Sequence, residues 1–167
     1  MTSTSPLDVL VVGAGPAGLT LAIDLARRNI PCRIIDKLAL FPTGTRARGI
    51  GARTQEIFDD LRVHTALSAY AEPFLPSRFY DRDNRIVREV APASGIDPAT
   101  LPTPDAPYRP SHMVSQQFTD AVLRECLATF GVEVERDCQL IGFTQELPMQ
   151  HWSSCVLTAT LASPVVA

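Results

Sequence analysis

Three glycines and one acid carry the most legible chemistry in this chain. They are Gly13, Gly15, Gly18 and Asp36, within the stretch VVGAGPAGLTLAIDLARRNIPCRIID at residues 11–36. Glycines at this spacing let a backbone turn come close to a phosphate. Gly13 permits the tight turn out of a strand. Gly15 lacks the Cβ that would keep a pyrophosphate at a distance, and Gly18 lets the next helix pack near the sheet. The helix N-terminus adds unpaired N–H groups and a positive dipole end. Pro16 suits the first helical turn, where an N–H would have no intrahelical acceptor. Asp36 falls at the end of the following strand, where a carboxylate accepts hydrogen bonds from ribose hydroxyls. The bland alternative is a glycine turn in an ordinary βαβ unit with an incidental acid. The strand before, the helix after and the acid beyond are all in place, which favours a dinucleotide site. The motif alone leaves FAD and NAD open. Asp36 argues against NADP here, because it would repel a 2′-phosphate.

Other side-chain chemistry is sparse. Cys32, Cys126, Cys138 and Cys155 form no C-x-x-C pair, so buried free thiols are expected rather than a zinc knuckle or redox dithiol. His64, His112 and His151 are scattered without ligand spacing and read as surface or core histidines, with no metal site. No serine sits in a nucleophile-elbow pattern. No catalytic side chain can therefore be named.

These residues need elements to position them. Leu7 to Val12 is a nearly continuous apolar run and predicts a buried parallel strand. Residues 19–28 place Leu21, Ala22, Leu25 and Ala26 at helical spacing, with Asn29 as terminator and Pro31 blocking continuation. Residues 32–36 predict a second strand, which a right-handed crossover sets beside the first in a parallel sheet. Residues 37–50 read as a long connection. Residues 51–61 predict a helix with Ile57, Phe58 and Leu61 on one face. Residues 77–90 read as a hairpin turning at Asp83-Asn84, with Phe79 and Ile86 on its strands. The proline-rich stretch 91–112 predicts little regular structure. Residues 116–130 fit an amphipathic helix with Phe118, Val122, Cys126 and Leu127 on one side and Gly131 as C-cap. Strands are expected at 132–135 and 139–145, and a further one at VLTATL, residues 156–161.

The length, 167 residues, suggests one domain. The balance of 15 basic against 18 acidic residues gives no sign of a nucleic-acid surface or an anionic membrane partner. The start, MTSTSPLD, lacks the basic and apolar regions of a signal peptide, and the run at residues 9–12 is too short to span a membrane. A reducing, cytoplasmic setting is expected. After Glu146 no charged residue follows, so the tail must pack on something or be a liability.

Three segments together resemble a known family: DVLVVGAGPAGLTLAIDLARRNIPCRIIDK, then TRARGIGARTQEIFDDLRV, then the region around SQQFTDAVL. They are similar to the N-terminal part of the class A FAD-dependent aromatic hydroxylases, in the branch that includes phenol and polyketide hydroxylases. The resemblance covers roughly residues 7–145, and the TRARGI segment is more specific than the glycines. It implies a Rossmann-like α/β FAD-binding unit with a parallel sheet, plus an incomplete β-rich substrate-side segment at residues 72–113. It implies that Gly13, Gly15 and Gly18 hold the FAD pyrophosphate and Asp36 the adenosine ribose. Arg46 and Arg48 match the family's paired arginines, either of which could touch the cofactor. Gln116 matches the glutamine opening the next FAD-lining helix, with Gln117 one residue away. Without the family pattern, Arg46, Arg48 and Arg53 would read as a solvated basic cluster. The implied reaction uses NADPH to reduce the flavin and transfers one oxygen atom to an electron-rich aromatic substrate.

The chain also departs from that family, whose members continue with an Asp-Gly segment and later a Gly-Asp segment. Neither dipeptide occurs in this sequence. The expectation is a truncated or divergently ended member, inactive alone, whose sheet leaves an exposed edge open to association. Two other readings stay open. A simple NAD-dependent dehydrogenase would need alternating strands and helices after Asp36. A non-catalytic nucleotide-binding or interaction module would not need the later motifs.

Overall fold

The computed structural model describes residues 9–43, 49–73, 75–90, 103–105, 107–108, 112–146 and 156–162. In chain order the elements are β1 (Val9–Val12), α1 (Pro16–Ala26), β2 (Cys32–Asp36), β3 (Gly49–Ile50), α2 (Ala52–Asp60), α3 (His64–Ser68), β4 (Glu72–Pro73), β5 (Ser77–Tyr80), β6 (Ile86–Val90), β7 (His112–Met113), α4 (Gln116–Ala128), β8 (Val134–Arg136), β9 (Gln139–Glu146) and β10 (Val156–Ala162). This is an α/β fold built around a parallel sheet. The described residues fall into two compact units, divided between Pro42 and Thr43 and again between Val122 and Leu123.

The first unit holds the parallel sheet, in the order β1-β2-β8. Val9 to Val12 pair in register with Cys32 to Ile35, and Ile34 to Asp36 pair with Val134 to Arg136. Helix α1 makes the crossover between β1 and β2. Its end follows from one residue: Asn29 adopts a left-handed backbone with φ 58°, and the Ile30 N–H turns back to donate to the Leu25 carbonyl at 3.0 Å. Asparagine tolerates this conformation better than most residues, which is why it can close the helix. The core of the unit is Val11, Leu19, Ala22, Ile23, Ile34 and Ile35, together with Leu123 and Leu127 of α4. Strands β9 and β10 form a separate antiparallel pair with a bulge between Thr160 and Leu161, so VLTATL is a strand as its pattern suggested.

The second unit contains a small three-stranded sheet, ordered β3-β7-β4, and the β5–β6 hairpin. The hairpin turns at Asp83-Asn84 as expected. Asn84 has φ 63°, and the Asp81 carboxylate accepts the N–H groups of Asp83 at 2.9 Å and Arg85 at 2.8 Å. An aspartate that caps its own turn in this way stabilises the reversal locally. Helix α3, which no apolar period announced, packs against α2 and buries Leu67.

Several facing assignments made from spacing are corrected. Leu21 is 47% exposed, while Leu19 and Ile23 are buried instead. Helix α1 is apolar nearly all round, so spacing alone could not choose its inner face. Ile57 points outward and Gln55 is buried in its place, and Phe118 is exposed while Leu123 is buried. Gln55 can be buried because its amide is satisfied, with Nε2 donating to the Ile50 carbonyl at 3.4 Å. Strand β1 is not buried throughout, since Val12 lies on the open face. Of the described cysteines only Cys138 is buried, and Cys32 and Cys126 are half-buried. Desolvation still pushes both half-buried thiols above their ordinary value. His112, the last residue of the stretch expected to have little regular structure, instead forms with Met113 the central strand of the small sheet. Residues 91–102 and 147–155 lie outside the described residues. No helix among the described residues is long and apolar enough to cross a membrane.

Candidate functional site

The glycine turn sits where β1 hands over to α1. Gly13 has φ 101°, a backbone conformation that other residues rarely adopt. Its N–H donates to the Ile35 carbonyl at 2.8 Å, which ties the turn to β2. Gly18 is required by contact rather than by backbone angle. A Cβ there would lie 2.0 Å from the Gly13 carbonyl oxygen, so helix and turn approach each other only because the side chain is absent. Gly15 is different again. Its φ is −82°, and a Cβ built on it meets nothing within 4 Å. That position faces open space.

Gly15 is also the N-cap of α1, without a side-chain cap, and Pro16 opens the helix. No acidic residue occupies the first turn. The N–H groups of Ala17 and Gly18 therefore stand at a helix start with no intrahelical acceptor and no acidic side chain of the first turn competing for them. An open volume beside such donors suits an anion.

Asp36 closes the arrangement from the end of β2. Its Oδ2 accepts the Ala14 N–H at 2.8 Å, and its Oδ1 accepts the Leu38 N–H at 2.8 Å. Its backbone carbonyl accepts the Cys138 N–H at 3.0 Å. The carboxylate is half-buried. An ionised carboxylate offers about four acceptor positions, so two remain for hydroxyl donors. Ala14 and Leu38 were not legible as participants, because they contribute only backbone N–H groups and no residue type marks that role.

Beyond Asp36 the chain is pinned by an aromatic contact. The Arg124 and Arg136 guanidinium carbons lie 3.6 and 3.9 Å from the Phe41 ring centroid. Two planar guanidiniums cannot both come so close on one face, so they clamp the ring between them. Nε and Nη2 of Arg136 are buried with no hydrogen-bond acceptor among the described residues, and the ring face compensates part of that loss. Arg33 and Glu135 add a bidentate bridge from β2 to β8, with both contacts at 2.7 Å. Each partner reinforces the other's charge, with the Glu135 carboxyl held below and the Arg33 guanidinium above its ordinary value.

The structure thus brings Gly13, Gly15, Gly18 and Asp36 together in the first unit. Gln116 is the first residue of α4, in the second unit, and is half-buried. Its Nε2 donates to Asp120 Oδ2 at 3.4 Å, and Asp120 is itself buried. Arg46 and Arg48 lie outside the described residues. Arg53 is exposed and pairs with Glu56 one turn along α2, so it behaves as a solvated surface charge. Among the described residues no group of histidine, cysteine and acidic side chains could hold a metal ion.

Residues 6–151 match the family described as FAD binding domain. A flavin-dependent monooxygenase of Mycobacteroides abscessus is 41% identical over 142 residues, covering 83% of this chain and 29% of the relative. The 6-methylpretetramide 4-monooxygenase of Streptomyces rimosus is 35% identical over 133 residues, covering 80% of this chain and 22% of the relative. The chain therefore spans less than a third of the length of these curated relatives. Among solved structures, a ternary complex of aklavinone-11 hydroxylase with FAD and aklavinone superposes with a TM-score of 0.77 at 24% identity. That match covers 98% of this chain and 31% of the other, and it speaks for the fold.

Proposed function

The chain belongs to the FAD binding domain family of the flavin-dependent aromatic monooxygenases, and from that premise we propose that its glycine turn and Asp36 hold the ADP half of FAD. The observation that carries this reading is the open volume at Gly15, set beside uncapped helix donors and a half-buried carboxylate. The Ala17 and Gly18 N–H groups meet the pyrophosphate, and the α1 dipole favours its charge. The two unused acceptor positions of Asp36 take the ribose hydroxyls. The site residues fit the group on chemical grounds: donors face the anion and acceptors face the hydroxyls.

Gln116, and either Arg46 or Arg48, complete the cofactor contacts on this reading. Their support is the match to the family's sequence pattern. The bound flavin supplies the redox and oxygen chemistry, for which the side chains named here have no substitute. The residues of this chain bind and orient. The substrate class we assign is aromatic, phenol- or polyketide-like, with NADPH as the electron donor, and the support for both is resemblance to the family.

A second reading concerns the 167 residues taken alone. The sequence holds neither an Asp-Gly nor a Gly-Asp dipeptide, and both belong to the family's later cofactor segments. On that observation the isolated chain binds nucleotide without turnover, as a non-catalytic module. One experiment serves both readings. The purified chain is titrated with FAD and with ADP, then given NADPH and a phenol while oxygen uptake is followed. Saturable FAD and ADP binding without oxygen uptake is the expected result. Failure to bind either ligand removes the first reading. Stoichiometric yellow protein with NADPH-dependent oxygen uptake removes the second.

A further inference from the structure

We infer that Asp36 is a positioning residue for the phosphate-binding turn, in addition to any contact it makes with the ribose. The inference rests on reading the glycine turn as the pyrophosphate cradle, and it adds a second task for the same carboxylate. Two consecutive N–H groups of the turn are tied to the end of β2. Gly13 donates to the Ile35 carbonyl at 2.8 Å, and Ala14 donates to Asp36 Oδ2 at 2.8 Å. The first bond continues the strand pairing. The second reaches a side chain, so it depends on residue identity.

The carboxylate is itself held in place. Its other oxygen accepts the Leu38 N–H two residues on, which fixes the side-chain rotamer through a local turn. The backbone carbonyl of Asp36 accepts the Cys138 N–H. The acid is therefore anchored to the segment after β2 and, through Cys138, to the segment after β8. With the Ala14 N–H bound to it, the orientation of the Gly13–Ala14 peptide, one residue before Gly15, is set before any ligand arrives. Ala14 is 6% exposed, so water is a poor substitute for the carboxylate. A buried N–H that loses its acceptor costs more than an exposed one, and the turn would shift to recover a partner.

This role differs in sign from a role confined to the ribose. A negative charge beside an anion site opposes anion binding by simple electrostatics. If Asp36 touched only the ribose, removing its charge would leave inorganic pyrophosphate binding unchanged or tighten it. If Asp36 holds the turn, removing it weakens pyrophosphate binding although a repulsive charge has gone. Asparagine keeps only one carbonyl oxygen, so it cannot accept both Ala14 and Leu38 as the carboxylate does.

The test uses the 167-residue chain, as wild type and as Asp36→Asn. Inorganic pyrophosphate and ADP are titrated by NMR, and amide hydrogen exchange is measured at Ala14, Leu38 and the buried Leu123. The expected results are a slow Ala14 amide in the unliganded wild type and faster exchange at Ala14 in the variant, with Leu123 unaltered. Pyrophosphate affinity in the variant should fall about tenfold, the loss expected for one charge-assisted hydrogen bond. Pyrophosphate binding that is unchanged or tighter in the variant overturns the inference. So does an unprotected Ala14 amide in the wild type, a measurement that needs no variant to fold. If wild type binds neither FAD nor ADP, the proposed function fails, and the wild-type Ala14 amide still decides whether the carboxylate holds the turn.

Discussion

Replacing Gly18 by alanine separates what the glycine motif does for the fold from what it does for a ligand. The new Cβ would lie 2.0 Å from the Gly13 carbonyl oxygen, 3.2 Å from its carbon and 3.3 Å from Val11 Cγ1. Real Cβ contacts rarely fall below about 3 Å, so helix and turn must separate by about 1 Å. The obstacle is backbone, held by the Gly13 to Ile35 hydrogen bond, and it cannot rotate away as a side chain would. Alanine gains about 1 kcal/mol of helix propensity over glycine. Overpacking costs about 1–3 kcal/mol or more, and a backbone clash places this case at the upper end. A net loss of about 2 kcal/mol is expected, equivalent to a fall in Tm of roughly 4–8 °C for a chain of this size. Urea unfolding followed by circular dichroism measures it. Gly15→Ala is the matched control. Gly15 has an ordinary extended backbone, and nothing lies within 4 Å of its Cβ position. Its stability should stay within about 1 kcal/mol of wild type, while FAD affinity falls because the methyl group fills the cradle. A Gly18→Ala chain as stable as wild type would refute the argument that close packing requires this glycine. A Gly15→Ala chain that binds FAD normally would refute the cradle.

Three further outcomes are expected. Asn29→Ala should cost about 1 kcal/mol in urea unfolding, because alanine pays for the left-handed backbone at φ 58°, whereas Asn29→Gly should be neutral or better. Leu123→Ala should cost about 2–5 kcal/mol, since that side chain is fully buried, and Leu21→Ala at an exposed position of α1 should cost about 1 kcal/mol or less; equal losses would contradict the orientation of the two helices. Arg33 holds the Glu135 carboxyl below its usual value of 4.5, so the pair stabilises the fold above that pH and the contribution disappears as pH falls through the lowered value. Both side chains are more than a third exposed, which limits the effect to less than about 1 kcal/mol, and Arg33→Ala should flatten that part of an acid-unfolding curve without altering stability at neutral pH by more than this.

Local chemistry made much of the first unit readable in advance. The spacing of Gly13, Gly15 and Gly18 after an apolar run and before a helix defines a strand, turn and helix from nearest-neighbour preferences alone. Asn29 and Asp83-Asn84 mark a helix end and a hairpin turn because few residues accept their backbone angles. Gly131, with φ 73°, follows α4 for the same reason. The inner faces of helices were less readable. Periodicity says that one side is apolar, but in α1 nearly every side is, and in α2 the buried position went to Gln55 because its amide found a partner. The short strands β3, β4 and β7 have two residues each, too few for any alternation to register.

The sequence by itself determined the βαβ unit, the family resemblance and the identity of the candidate groups, because each depends on residue type at short separation. The tertiary structure decided what those groups do to one another. It joined the Asp36 carboxylate to the Ala14 N–H, 22 residues apart, pressed Gly18 against Gly13, and clamped Phe41 between Arg124 and Arg136. Contacts of this kind depend on strand register and helix crossing, which are settled by packing of the whole unit and leave no mark at any single position. The acid that the sequence offered as a ribose ligand is, in the fold, also bonded to the turn that would receive the phosphates.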